Sequence, residues 1–187
     1  AVNGTPADCV KLAITVLLDE PPKLVVSGIN LGGNLGICAL YSGTVSAATE
    51  AMVMGVPSIA VSLDTYENPD FIPAAKFARK FIPQLLKKGL PDGVVLNINV
   101  PPVPESEFAG VAITRQGKSR VIEEFDCRKD PRGRTYYWLA GEMLFEETEE
   151  GADCVMIAKK YISVAPIHFD LTHYPSLDKL KDWKIEL

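Results

Sequence analysis

Short apolar runs alternate with helix-forming segments along the first hundred residues. This alternation favours an α/β layer fold with a largely parallel sheet. The nearly unbroken apolar run VVLNINV suits a strand in a sheet that is covered on both faces. We therefore predict an α/β core over residues 1–115, with strands at 23–26, 58–63 and 94–100 and helices at 5–18, 42–54 and 68–88.

The remaining residues, 116–187, have a different sequence pattern, with charged, turn-rich stretches between short apolar runs. We interpret this region as a β-hairpin extension followed by a tail, with an oligomerisation role. The aromatic cluster Tyr136, Tyr137 and Trp138 can stack on a base, but packing against a second subunit is favoured. The predicted strands are 136–140, 154–158 and 162–167, and a short helix is predicted at 176–183.

Charge and cysteine usage exclude several classes of partner. The net charge is −5 and Lys and Arg form no cluster, which argues against binding a nucleic-acid duplex, although a single nucleotide needs only a local site. No apolar run approaches the roughly 20 residues of a membrane span. The four cysteines form no CxxC pair, so we expect free thiols in a reducing cytoplasm.

The stretch 27–44, SGINLGGNLGICALYSGT, contains many small polar residues and no charge. It follows a predicted strand, and ligands of open α/β sheets bind beyond the carboxyl ends of the strands. Glycines let the backbone approach a ligand, Asn30 and Asn34 offer amide groups, and Ser42-Gly43-Thr44 stands at a helix N-terminus that attracts anions. The stretch resembles a phosphate cradle built from neutral donors.

The same stretch has a simpler interpretation, an ordinary connection with a serine or threonine cap. It lacks the GK[ST] of a P-loop and the GxGxxG of a dinucleotide site. Other candidates also keep two interpretations. Asp64 can contact a nucleoside or cap a turn, and Arg115 and Arg120 can steer an anion or lie in a solvated loop. Asp8 is best interpreted as stabilising a helix dipole, and His168 and His173 have the wrong spacing for a shared metal on one helix face.

Several motifs occur in the order found in one known family. SGINxGxNxG followed by YSGTVxAAxE resembles the SurE family, the stationary-phase survival protein E nucleotidases. The similarity continues through NGTPADCV, GVPSIAVSL, LNINVP, TRQG, DPRGRTYYW and YISVAPIHFDLT. It covers essentially the whole chain, and the combination of motifs is far more specific than any one of them.

The resemblance implies a metal-dependent phosphatase that acts on nucleoside 5′- or 3′-monophosphates. It also implies a Rossmann-like three-layer fold and assembly as a homodimer or homotetramer. Asn30 corresponds to a ligand of the divalent metal, Mg²⁺ or Mn²⁺, which would polarise the phosphoryl oxygens and activate a water. Asn34, Ser42, Gly43 and Thr44 correspond to the phosphate pocket.

One part of the family pattern has no counterpart in these residues. The NDDG motif, whose two aspartates hold the metal, is not found here, nor is a further serine ligand. We therefore expect weak metal binding and slow turnover from this chain, and we name no general base. Three alternatives stay open: a non-catalytic nucleotide- or anion-binding module, a nucleotide-cofactor oxidoreductase, and an interaction protein built around the hairpin.

Overall fold

The computed structural model describes residues 1–118, 120–144 and 147–185, without the side chains of 120–123 and 141–144. The helices are α1 Pro6–Leu12, α2 Cys38–Tyr41, α3 Gly43–Val53, α4 Ile72–Lys88, α5 Asp153–Ala158 and α6 Tyr174–Lys181. A π-helical turn, Ala13–Leu17, extends α1, and a 3₁₀ turn covers Glu105–Glu107. The strands are β1 Val25–Leu31, β2 Ser58–Leu63, β3 Val95–Val100, β4 Gly110–Ile113, β5 Arg120–Lys129, β6 Thr135–Leu144 and β7 Tyr161–Ile167.

Five strands form one sheet in the order β1-β2-β3-β7-β4. The pairs β1/β2, β2/β3 and β4/β7 are parallel, and β3/β7 is antiparallel. The prediction of an α/β fold with a mostly parallel sheet is therefore confirmed. The strand β7, from the predicted extension, lies inside this sheet between β3 and β4.

Helices cover both faces of the sheet. Ile59 and Val61 of β2 belong to the core cluster that contains Ala74 and Leu85 of α4. Ala60 belongs to a second cluster, which contains Ala48 of α3. Because successive side chains of a strand point to opposite faces, α3 and α4 lie on opposite sides of the sheet. The core thus has the three layers that the sequence predicted.

The predicted start of α1 is confirmed in atomic detail. Thr5 accepts a hydrogen bond from the backbone N–H of Asp8, and the Asp8 carboxylate accepts one from the backbone N–H of Thr5 at 2.8 Å. This reciprocal pair is a capping box. It lowers the pKa of Asp8, chiefly because Thr5 donates hydrogen bonds to the charged carboxylate. Asp8 therefore stabilises a helix start, as expected.

Several elements differ from the sequence prediction, including strand β4, which was not predicted. The run 154–158, predicted as a strand, lies in helix α5, because a five-residue apolar run does not distinguish the two by periodicity. The charged stretch before Gly133 contains β5, which pairs with β6 over ten residues. Strand β1 continues to Leu31 through residues predicted as a loop.

The β5–β6 hairpin forms a separate two-stranded sheet with exposed aromatic side chains. Tyr137 and Trp138 are 68% and 56% exposed, and the Arg128 guanidinium lies 5.5 Å from the Trp138 ring centroid. Their packing against a second subunit stays a prediction. None of the helices in the described ranges is long and apolar enough to cross a membrane.

Candidate functional site

Asn30 lies near the end of β1, on the edge of the sheet where ligands bind in this kind of fold. It is opposite Ser62 of β2 in the parallel register. Its amide nitrogen donates to the carbonyl oxygens of Leu31, at 3.1 Å, and Gly32, at 2.8 Å. These bonds fix the side chain and leave Oδ1 as the atom that a ligand or a metal can use. Its role as a metal ligand stays a prediction.

Asn34 anchors the glycine-rich loop to the sheet. Its backbone N–H donates to Oδ1 of Asn99 at 2.7 Å, and its carbonyl accepts from Nδ2 of Asn97 at 2.8 Å. Its own Nδ2 donates to Oγ of Ser62 at 2.7 Å. The residue is only 7% exposed. Because Ser62 takes one proton of the side-chain amide, the other N–H is the donor left for a phosphate. Its role in the phosphate pocket stays a prediction.

A buried carboxylate that sequence analysis did not single out holds the other end of the loop. Asp153 is 0% exposed, and its Oδ2 accepts from the N–H of Gly36 at 2.9 Å. Its Oδ1 accepts from the N–H groups of Gly117, at 2.9 Å, and Cys154, at 2.8 Å. Nε2 of Gln116 donates to the Gly36 carbonyl at 2.8 Å. Asp153 therefore joins the loop to two segments that are distant in sequence.

The N-terminus of α3 supplies the donors of the predicted phosphate cradle. Ser42 is the N-cap, and its Oγ accepts from the backbone N–H of Val45 at 3.1 Å. The hydroxyl proton is then available to donate to a ligand. The N–H groups of Gly43 and Thr44, in the first turn of an eleven-residue helix, have no intrahelical acceptor. They point toward the carboxyl edge of the sheet, because α3 runs back between two parallel strands.

Two glycines of the stretch are explained by close contacts. Gly28 has φ +124°, and a Cβ added there would lie 2.2 Å from the carbonyl oxygen of Val61. A Cβ added to Gly33 would lie 2.1 Å from Oδ1 of Asp64. The glycine-rich composition therefore reflects close packing of the loop against β2 and the residues that follow it.

Three of the other predicted candidates, Arg115, His168 and His173, have structural partners. Arg115 pairs with Glu147 at 3.1 Å and with Glu149 at 2.6 Å, which favours an ion-paired loop over an anion-steering site. Nδ1 of His168 accepts a hydrogen bond from the backbone N–H of Asp170, and Nδ1 of His173 lies 2.6 Å from Oγ of Ser176. The side chain of Arg120 lies outside the described residues. The four cysteines, Cys9, Cys38, Cys127 and Cys154, are not paired with one another.

A complete metal shell is not found in the part of the chain that the structure describes. No group of three or more His, Cys, Asp or Glu side chains is placed there to hold an ion. Mg²⁺ and Mn²⁺ prefer about six oxygen ligands, several of them carboxylates or waters. Asn30 supplies one neutral oxygen, so these residues fit one ligand position and not a whole site.

The fold and the loop together define a class of protein. It is a three-layer α/β protein whose polar, uncharged site lies at the carboxyl edge of a mostly parallel sheet. The family model described as Survival protein SurE matches residues 1–123. The chain belongs to the SurE family.

Relatives support this assignment over nearly the whole chain. The protein from Syntrophobacter fumaroxidans, named 5′-nucleotidase SurE, is 49% identical over 99% of this chain and 74% of its own length. A protein of the same name from a Nostoc species is 52% identical over 100% of this chain and 74% of its own length. The crystal structure of the Aquifex aeolicus SurE protein superposes with a TM-score of 0.81 at 42% identity, covering 96% of this chain and 73% of that one.

Proposed function

We propose that this chain hydrolyses the phosphate monoester of a nucleoside 5′- or 3′-monophosphate. The observation that supports this most is the start of α3, where a serine cap and two backbone amides face the ligand edge of the sheet. The relatives named 5′-nucleotidase SurE indicate the substrate class. In this proposal the stretch 27–44 both binds the phosphate and takes part in its hydrolysis.

In this proposal both backbone and side-chain donors of the stretch 27–44 bind the phosphate. The N–H groups of Gly43 and Thr44 donate to phosphate oxygens, and the positive end of the helix dipole favours the negative charge. The hydroxyls of Ser42 and Thr44 and the remaining amide proton of Asn34 add neutral donors. The same donors stabilise charge that develops on the phosphoryl oxygens during transfer.

Asn30 supplies one ligand of a divalent metal, Mg²⁺ or Mn²⁺, in this proposal. Its amide nitrogen is committed to two carbonyls, which orients the oxygen. The other ligands are water, phosphate oxygens or carboxylates that the described side chains do not provide. We therefore expect these 187 residues to bind Mn²⁺ weakly and to turn over slowly. Tight, stoichiometric Mn²⁺ binding in a calorimetric titration would contradict this part of the proposal.

The incomplete metal shell also favours a second candidate, a nucleotide-binding module without catalysis. The cradle at α3 does not depend on the metal, so such a module would retain nucleotide affinity in EDTA. A single assay of phosphate release distinguishes the two candidates.

Replacing Asn30 should strongly reduce metal-dependent phosphate release. Wild-type chain with 5′-AMP and Mn²⁺ should release phosphate slowly and in an EDTA-sensitive manner. Asn30→Ala should lower the rate by more than about tenfold, since even residues behind the ligands cost 10- to 100-fold at metal sites. Gln84→Ala, which removes an exposed amide on α4, serves as the control.

Each other outcome has a definite meaning. Release that resists EDTA, or that proceeds at the wild-type rate in Asn30→Ala, contradicts a metal role for Asn30. No release together with AMP binding in EDTA supports the binding module and contradicts hydrolysis by this chain.

We also propose that the β5–β6 hairpin packs against a second copy of the chain in a homodimer or homotetramer. Phe125 pairs with Leu139 and Cys127 with Tyr137 across the hairpin, which places these four side chains on one face. Phe125, Tyr137 and Leu139 are 61%, 68% and 58% exposed. An apolar face of this kind is typical of a subunit contact.

Light scattering tests the hairpin contact. The double variant Tyr137→Ser/Leu139→Ser should lower the measured mass of the oligomer. Tyr136→Ser, on the opposite face of the hairpin, should leave that mass unchanged. A monomer mass for the wild-type chain would contradict the proposal.

A further inference from the structure

A cavity of about 490 Å³ lies beside the glycine-rich loop and outside the phosphate cradle. Leu35 of the loop forms one part of its lining, and Asp64, which directly follows β2, forms another. The N–H of Asp64 donates to the carbonyl of Val100 at the end of β3. The cavity therefore opens at the carboxyl edge of the sheet, where ligands of α/β proteins bind.

The Asp64 carboxylate is a partly buried acceptor without a protein donor among the described residues. Burial raises its pKa, and the charge of Asp153 raises it further. The two other charged residues of the lining, Lys159 and Glu147, are already paired. Lys159 pairs with Glu150 at 2.7 Å, and Arg115 pairs with Glu147 at 3.1 Å. A partly buried carboxylate that lacks both a donor and a cation partner favours a ligand that donates hydrogen bonds.

The charge of the lining separates this cavity from the phosphate cradle. Its charged lining residues are Asp64, Glu147 and Lys159, and the last two are already ion-paired with other side chains. Among the described residues this leaves Asp64 as the lining charge without an ion pair, and Asp153 lies near enough to affect it. An anionic phosphate would be repelled there, whereas hydroxyl donors would be attracted. One part of the wall is apolar and well buried, with Leu35 1%, Cys154 4% and Ile157 6% exposed. Such a wall suits a flat, weakly polar ring.

We propose that this cavity binds the nucleoside part of the substrate and that Asp64 is its specificity-determining residue. The carboxylate accepts hydrogen bonds from the ribose hydroxyl pair, and the base packs against Leu35, Cys154 and Ile157. The close approach of Asp64 to Gly33 ties the nucleoside site to the loop that leads into the cradle. This inference rests on the proposed function, since it assumes that phosphate binds at α3.

The test compares the affinities of three ligands by calorimetry. They are 5′-AMP, its 2′,3′-dideoxy analogue and inorganic phosphate. Wild-type chain should prefer 5′-AMP over the dideoxy analogue by about tenfold or more, because hydrogen bonds to a charged group are the strong ones. Asp64→Ala should remove that preference and leave phosphate affinity unchanged. Asp64→Asn, which keeps one acceptor oxygen, should retain part of it.

The three ligands distinguish a failure of the proposed function from a failure of the role assigned to Asp64. If inorganic phosphate and 5′-AMP both fail to bind, the proposed function itself fails. If both bind but the wild-type chain does not distinguish 5′-AMP from the dideoxy analogue, only the assignment of Asp64 is overturned. The wild-type comparison needs no variant, so a folding defect in Asp64→Ala does not affect it.

Discussion

Replacing Asp153 with alanine should destabilise the protein by about 3–5 kcal/mol, because three buried N–H groups lose their acceptor. The donors are those of Gly36, Gly117 and Cys154, and Asp153 itself is 0% exposed, so water cannot take its place without a rearrangement. The loss should appear as a lower midpoint in urea denaturation followed by circular dichroism.

Two further variants sharpen this prediction. Asp153→Asn can keep Oδ1 toward Gly117 and Cys154 but turns an NH₂ group toward the N–H of Gly36. We expect an intermediate loss of about 1–3 kcal/mol and faster hydrogen exchange at Gly36. Asp130→Ala removes a partly exposed carboxylate that also accepts from two backbone N–H groups, and it should cost less because water can reach these groups. Equal stability of Asp153→Ala and wild type would contradict the assigned role.

Replacing Ser42 with aspartate should remove phosphate binding while preserving the fold. Aspartate caps a helix about as well as serine, so the free energy of unfolding should change by less than about 0.5 kcal/mol. Its carboxylate occupies the positive end of α3 and repels a phosphate a few ångströms away. At an effective dielectric of 20 this repulsion reaches about 3 kcal/mol, so 5′-AMP affinity should fall about 100-fold.

The alanine variant at the same position gives the complementary result. Ser42→Ala removes the acceptor for the Val45 N–H and should cost about 1 kcal/mol of stability. It leaves the N–H groups of Gly43 and Thr44 in place, so 5′-AMP affinity should fall only severalfold. If Ser42→Asp binds 5′-AMP as well as wild type does, the phosphate does not lie at this helix.

The fold was largely predictable because its signals are local. The buried strand β2 was predicted at its observed bounds, and the caps at Thr5 and Ser42 follow from residue type and position. The run 154–158 was assigned wrongly, because helix and strand differ in such a short segment only through the surrounding structure. The position of β7 inside the sheet depends on pairing with distant strands, which no local pattern encodes.

The site was predictable only in part, for a related reason. The loop glycines and Ser42 lie close together in sequence, so their pattern is visible. Asp153 acts on Gly36 from 117 positions away, and a single aspartate in the sequence gives no sign of such a contact. Asp64 was noted as a turn cap or a nucleoside contact, and only its partial burial and the lack of a donor to its carboxylate among the described residues favour the second.

The most direct test of the phosphate cradle is a titration followed by the backbone amide signals in ¹⁵N NMR. Wild-type chain would receive 5′-AMP, and separately inorganic phosphate, without added metal. If the phosphate binds at α3, the Gly43 and Thr44 signals should show saturable shifts with both ligands, and these shifts should be lost in Ser42→Asp. Saturable binding that leaves the Gly43 and Thr44 signals unmoved would contradict it.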